Sequence, residues 1–149
     1  MRRFDQNKMA RLVSELRKSL KSLRKLSKLE EKRFLKDTDK IASAKYNFIV
    51  AIEACIDMCN HVISRNEFRI PEDYSDSFGV MRDAGAFDVP LVDNLIKMAK
   101  FRNRLVHLYW KVDDKTVYRI LQHHLDDFKM FLNAIAVFLK WRNITDHRI

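Results

Sequence analysis

An all-α chain folded as an antiparallel up-and-down bundle, four long helices with one short one, is what this sequence predicts. Glycine and proline supply only 2 residues each among 149, whereas the strong helix formers Leu, Ala, Lys, Arg, Glu and Met are abundant. Apolar residues recur at threes and fours in separate stretches, the period of an amphipathic helix rather than a strand. The connections between those stretches are short, with no repeat and no low-complexity linker, which suits neighbouring antiparallel helices. A chain of this length buries one hydrophobic core but not two, so residues 1–149 are read as a single domain.

The first helix runs from Met9, with Leu12, Val13, Leu16, Leu20, Leu23, Leu26 and Leu29 set among lysines and arginines. Lys36-Asp37-Thr38-Asp39 then offers N-cap candidates. A second helix from about Ile41 to Ser64 carries Ala44, Phe48, Ala51, Ile52, Cys55, Ile56, Cys59 and Val62, apolar over so wide an arc that it belongs at the centre. Residues 65–75, polar and holding Pro71, form the main loop, followed by a short helix over Ser77 to Asp83 that Gly85 can end. Pro90 suits the first turn of the next helix, which continues to about His107. After Trp110-Lys111-Val112, Asp113-Asp114 caps one last helix with Val117, Ile120, Leu121, Leu125, Phe128, Leu132, Ile135, Phe138 and Leu139 on its inner face. The tail from Arg142 to Ile149 carries no recognisable chemistry and is free to fray.

No apolar run approaches the ~20 residues of a membrane span, and Met1-Arg2-Arg3-Phe4-Asp5 leads into a charged helix, so a cytoplasmic protein without a membrane partner is expected. Cys55 and Cys59, four apart in an apolar stretch, read as small buried hydrophobes rather than a disulfide. With His61 they supply only three ligands at spacings no common zinc site uses, so core packing is the better account and no cofactor is expected. His123 and His124 point in different directions on a helix and read as surface or packing residues. The net charge of +9 is unevenly spread: residues 1–36 hold 13 Lys/Arg against 4 Asp/Glu, and the rest of the chain holds 16 of each. That basic segment can follow a phosphate backbone, meet an acidic partner, or simply solvate a helix face.

Pattern and chemistry conflict at one place. On the helix before His107 the series Leu91, Leu95, Met98, Arg102, Leu105 has the spacing of a buried seam, which puts a guanidinium in the apolar arc. Asn103 lies at the edge of that arc, with His107 beside it one turn on. An unpaired cation there would cost several kcal/mol of desolvation, so it either pairs with an acid on the central helix, Glu53 or Asp57, or faces a site.

The string Phe101-Arg102-Asn103-Arg104-Leu105-Val106-His107-Leu108-Tyr109 resembles the Arg-x4-His-x-Tyr motif of the HEPN superfamily, in the form carried by HepT-type toxins. Ala51 to Ser64 is similar to that family's central helix, Asp73-Tyr74-Ser75-Asp76-Ser77-Phe78 to its following loop, and Met98-Ala99-Lys100-Phe101 to the approach to its motif. The similarity covers about residues 40–125, and the basic first helix is the part least matched. It implies a HEPN-like helical domain that forms a homodimer with its motif helices close together, making one composite cleft. It also implies metal-independent endoribonuclease activity on RNA, pairing with a minimal nucleotidyltransferase antitoxin, and transfer of AMP to the motif tyrosine, Tyr109.

The residue types suit that chemistry. RNA carries its own nucleophile, so cleavage needs a proton taken from the 2′-hydroxyl, charge offset on the phosphorane and a proton for the leaving oxygen. Imidazole titrates near ~6.5 and can take or give that proton, which suits His107. A planar guanidinium can hold two phosphate oxygens, which suits Arg102, while Asn103 can orient either phosphate or imidazole. Arg102 and His107 are separated by about 140° round a regular helix, so a second chain is needed to bring the two together. A tyrosine at a helix end can equally be structural, packing beside Trp110. Two rivals therefore stand beside the ribonuclease: a catalytically silent HEPN module that partners a nucleotidyltransferase, and a basic helical scaffold that binds nucleic acid.

Overall fold

The computed structural model describes residues 2–142 and contains seven α-helices among them. They are α1 (Gln6–Ser27), α2 (Glu31–Lys36), α3 (Thr38–Arg65), α4 (Asp76–Asp83), α5 (Val89–His107), α6 (Asp114–His123) and α7 (Asp126–Leu139), with a 3-10 turn at Tyr109–Lys111. All-helical architecture follows from the scarcity of breakers, and the helix starts follow from side-chain caps. Asp5 accepts from the Asn7 and Lys8 N–H groups, Asp37 from Lys40, Asp88 from Leu91 and Asp113 from Lys115, each satisfying donors that the first turn leaves unpaired. Gly85, at φ +93°, ends the turn after α4: its N–H donates to Arg82 O and the Ala86 N–H to Met81 O.

The central helix is α3, against which every other α-helix packs. Phe48, Ala51, Ile52, Cys55, Met58, Cys59 and Val62 are buried on it. It is long and apolar enough by composition to cross a membrane, but most of its apolar window is covered by the other helices, as in the core helix of a globular fold. Phe78, Phe87 and Phe131 form a tilted and edge-on aromatic cluster between α4, the turn before α5, and α7. Burial raises the thiol pKa values of Cys55 and Cys59, and the Nε2 of His61 accepts from the Asp5 N–H at 2.8 Å. All three therefore serve the core and the seating of α1.

Two features depart from the bundle the sequence predicts. The first is α2, whose six residues are too few for a periodic pattern to register; it exists to bury Phe34, whose ring lies 5.4 Å from Tyr118. The second is the final helix, which is not continuous but breaks at His124–Leu125. No glycine or proline marks that break, and the apolar series runs straight through it. Its cause is packing: α6 lies on α1, α2 and α3, whereas α7 lies on α5 and α3, so the two halves must point differently. His124 Nδ1 sits 3.2 Å from Asp127 Oδ2 at the bend. Tyr118 and Gln122 of α6 in turn donate to Leu29 O and Ser27 O, satisfying carbonyls at the end of α1. The tail beyond Arg142 lies outside the described residues.

Candidate active site

The helix α5 stays regular as far as His107, and Leu108, at φ −134° and ψ 42°, turns the chain into the 3-10 segment that begins at Tyr109. The motif residues thus occupy the last two turns of one helix and the bend beyond it. Leu91, Leu95, Met98 and Leu105 are buried, as the seam predicts, and Arg102 interrupts them at the margin of the core with 18% of its side chain exposed.

Its guanidinium is held on three sides. Nε and Nη2 donate to Glu53 Oε1 at 3.1 and 2.7 Å, Nη1 donates to Asn103 Oδ1 at 2.9 Å, and Cζ lies 4.3 Å from the Tyr74 ring centroid. Of the two acids named by the sequence, Glu53 is the partner, and its side chain is 40% exposed. Asp57, one turn further along α3, makes no ion pair with Arg102; partial burial, then the nearby charge of Glu53, pushes its carboxyl above the ordinary range. Burial, opposed by the Arg102 cation, raises the Tyr74 phenol well above its usual value. Planar stacking and fork donation both need a guanidinium, so the substitution Arg102→Lys would lose this setting although it keeps the charge.

His107 is exposed on the last turn of α5. Because the helix is uninterrupted, it stands about 140° from Arg102 and the two are not brought together within one chain. Around it Val106, Leu108, Tyr109 and Trp110 are exposed, Trp110 to 76%, so an apolar surface surrounds the motif. Tyr109 packs not on Trp110 but beneath a cation: Lys45 Nζ lies 4.2 Å from its ring centroid. Lys45 is buried, and Asp114 in the first turn of α6 pairs with it at 3.4 Å.

Sequence reasoning gave Lys45 no role, read Asp114 only as a helix cap, and took Tyr74 only as part of a loop similar to the family's. Lys45 was legible as an oddity, since it falls on the buried face of α3 beside Ala44 and Phe48, but only the tertiary fold reveals that Tyr109 covers it. The contact of the Tyr74 ring with Arg102 had no signal in the periodic pattern, because loop residues follow no period.

The profile of the family described as Ribonuclease HepT-like matches residues 16–135. The mRNA nuclease HepT of Shewanella oneidensis is 40% identical over 83 residues, which cover 56% of this chain and 62% of that protein, so the match spans less than two thirds of the curated relative's length. Among solved structures, the tri-AMPylated Shewanella oneidensis HEPN toxin in complex with its MNT antitoxin is 29% identical, with a TM-score of 0.80 over 87% of this chain and 96% of that one. A toxin–antitoxin complex with AMP-PNP has a TM-score of 0.81 at the same identity, covering 87% of this chain and 97% of its own. The cytosolic protein YutE of Bacillus subtilis, at 20% identity and TM-score 0.80 over 95% of both chains, shares the fold. Over the core helix, the motif helix and the helices that bury them, this chain belongs to the Ribonuclease HepT-like family.

Proposed function

We propose that this chain is a metal-independent endoribonuclease, the toxin of a HEPN/nucleotidyltransferase toxin–antitoxin pair, and that it cuts RNA in the cytoplasm at a site shared by two protomers. The observation that carries this reading is the end of α5: a guanidinium fork and an imidazole on different faces of one helix, flanked by exposed apolar residues that a twin chain can cover. In the homodimer, Arg102 of one protomer meets His107 of its partner across the two-fold axis. His107 takes the proton from the ribose 2′-hydroxyl, the resulting oxygen attacks the adjacent phosphorus to close a 2′,3′-cyclic phosphate, and the P–O5′ bond breaks as the leaving 5′-oxygen takes a proton from water. Arg102 offsets the charge on the phosphorane, and Asn103, whose Oδ1 already accepts from Arg102, keeps its amide NH2 to donate to phosphate. Its curated relative is described as an mRNA nuclease, and the solved HEPN toxin carries AMP and an antitoxin partner. Here Tyr109 is the proposed AMP acceptor: its hydroxyl oxygen bonds the α-phosphorus of ATP on the antitoxin, pyrophosphate leaves, and the phenolic proton passes to base.

An RNA-cleavage assay in the presence of chelator tests the reading. Wild type should cut, and Arg102→Ala and His107→Ala should each abolish cleavage in folded, dimeric protein; cleavage retained by either variant removes its catalytic role. One observation favours a second reading, a catalytically silent module that partners the nucleotidyltransferase: in the single chain Arg102 is already engaged by Glu53, Asn103 and Tyr74. A wild-type chain that binds the partner, gains AMP on Tyr109 and never cuts RNA would establish that alternative.

A further inference from the structure

We propose that the outward face of α1 binds the sugar–phosphate backbone of single-stranded RNA and holds the strand that flanks the cut. The binding stands on its own; only its service to cleavage rests on the ribonuclease reading above. At roughly 100° per residue, Arg17, Lys18, Lys21, Arg24, Lys25 and Lys28 fall within an arc of about 120°. They line a groove of about 810 Å³ along the helix. From Arg17 to Lys28 the array runs about 16 Å at the usual helical rise. No acid occurs anywhere from Leu16 to Leu29, while residues 37–149 are balanced at 16 basic and 16 acidic.

Simple solvation does not account for this. A surface built only for solubility intersperses both signs, whereas here like charges three and four residues apart oppose the helix that carries them. Lys18, Lys21, Lys25 and Lys28 are exposed, and among the described residues none has an acid within ion-pair distance. Arg24 reaches Asp126 at 3.3 Å, but that carboxylate is itself 82% exposed and open to exchange for a phosphate.

The ligand chemistry follows from what the face lacks. None of the large exposed hydrophobic residues lies on α1, so there is no anchor of the kind a protein partner needs. A line of cations with no large exposed apolar or aromatic side chain among them suits a regularly charged backbone read without regard to sequence. Lys18 also borders a second groove, of about 470 Å³, whose far wall includes Glu53, the partner of Arg102. That groove contains Glu15, Glu53 and Asp57 and repels phosphate, so the track ends at Lys18, on the side of α1 that faces the motif region.

The test is fluorescence-anisotropy binding of an oligouridylate of about 20 nucleotides, with His107→Ala as the background so that binding is read without cleavage. Each cation removed from a single-strand contact lowers the salt dependence, d log K/d log [salt], by about 0.7. K18Q/K21Q/K25Q/K28Q should therefore lower the slope by about 2.8, and K21Q/K28Q by about 1.4. The charge-preserving K18R/K21R/K25R/K28R should keep the slope, and K97Q/K115Q/K129Q/K140Q, on other elements, should change it by less than about 0.7. An unchanged slope in the α1 variants, or an equal fall in the control set, overturns the proposal. A loss confined to polyglutamate, with RNA binding intact, overturns it in favour of an acidic protein. Because no step of the measurement requires cleavage, an inactive wild-type enzyme would leave the result standing.

Discussion

Removing either member of the Arg102–Glu53 pair separates a catalytic guanidinium from a structural one. Two N–H groups of Arg102 converge on a single Glu53 oxygen at 3.1 and 2.7 Å, with the two side chains 18% and 40% exposed. Exposed pairs contribute about 0.2–1 kcal/mol and loss of one partner from a fully buried pair costs about 3–5 kcal/mol. This half-sheltered pair belongs between those limits, at about 1–2 kcal/mol. Arg102→Ala and Glu53→Ala should therefore lower the melting temperature by similar amounts, about 3–6 °C for a chain of this size, with the double variant little worse than either single one. Cleavage should not follow the same pattern. After Glu53→Ala the guanidinium keeps Asn103 at 2.9 Å and the Tyr74 ring at 4.3 Å, so activity should stay within about 10-fold of wild type once folded fractions are equal. Arg102→Ala removes the group proposed to offset phosphorane charge and should lower cleavage at least about 10²–10³-fold, the usual loss for one such donor. Thermal denaturation beside a single-turnover assay on one RNA gives both numbers. Equal losses of cleavage in the two single variants would refute the reasoning, because Arg102 would then act only by bracing α5 against α3.

Four other perturbations have clear expected outcomes. His61 accepts from the Asp5 N–H as a neutral ring, and burial first, then Lys8 and Arg65, depresses its pKa below the ordinary value of 6.5; the unfolded chain thus binds more protons as pH falls below that value, and stability present above pH ~6.5 should be lost on acidification. Urea denaturation from pH 7 to 5 should show this slope, and His61→Gln should flatten it. A Cβ at Gly79 would stand 2.6 Å from Asp76 Oδ1, which is tied to Arg69, so Gly79→Ala should destabilise by about 1–3 kcal/mol in calorimetry and loosen residues 69–76. Lys45→Met keeps the buried stem but removes the cation above Tyr109, worth about 1 kcal/mol, so hydrogen exchange at residues 109–111 should quicken about 5-fold while the α3 core is unchanged. Trp110→Ser should weaken a homodimer built on the motif surface by about 2 kcal/mol, or about 30-fold in Kd by sedimentation, with an unaltered monomer fold.

What could be read in advance follows from the range of the forces involved. The helices α1, α3 and α5 are each long enough for burial to impose a period, and the caps Asp37 of α3 and Asp113 of α6 were visible as local signals. The helix α2 was not, because its six residues, with Phe34 buried and Leu35 partly so, are too few to show a period. The bend at His124 left no trace because the residues on both sides are apolar at the right intervals; what changes is the identity of their neighbours. At the motif, the seam made Arg102 conspicuous and limited its internal partner to Glu53 or Asp57. Choosing between them, and placing Tyr74 over the guanidinium and Lys45 over Tyr109, depends on contacts across 28 to 64 residues of sequence that no local pattern encodes.

The same geometry also decides why one chain would be insufficient for the proposed cleavage. A continuous α5 fixes Arg102 toward α3 and His107 toward solvent, and relaxing that angle within a monomer would require unwinding the last turn, whose Leu108 N–H is bonded to Arg104 O at 2.8 Å. A two-fold partner would remove the conflict without unwinding, since it would supply the missing group from an identical helix. Dimerisation would also cover Val106, Leu108 and Trp110, which in the isolated chain leave apolar area in water. The Arg102–Glu53 pair would then gain a second meaning: Glu53 holds the fork through two N–H groups, and a phosphate entering the proposed cleft would have to compete with that carboxylate for the same donors. Glu53→Gln retains an acceptor but weakens that competition, so substrate should bind more tightly, with a fall in KM of several-fold and little change in kcat. A rise in KM would mean that Glu53 orients Arg102 for phosphate rather than opposing it.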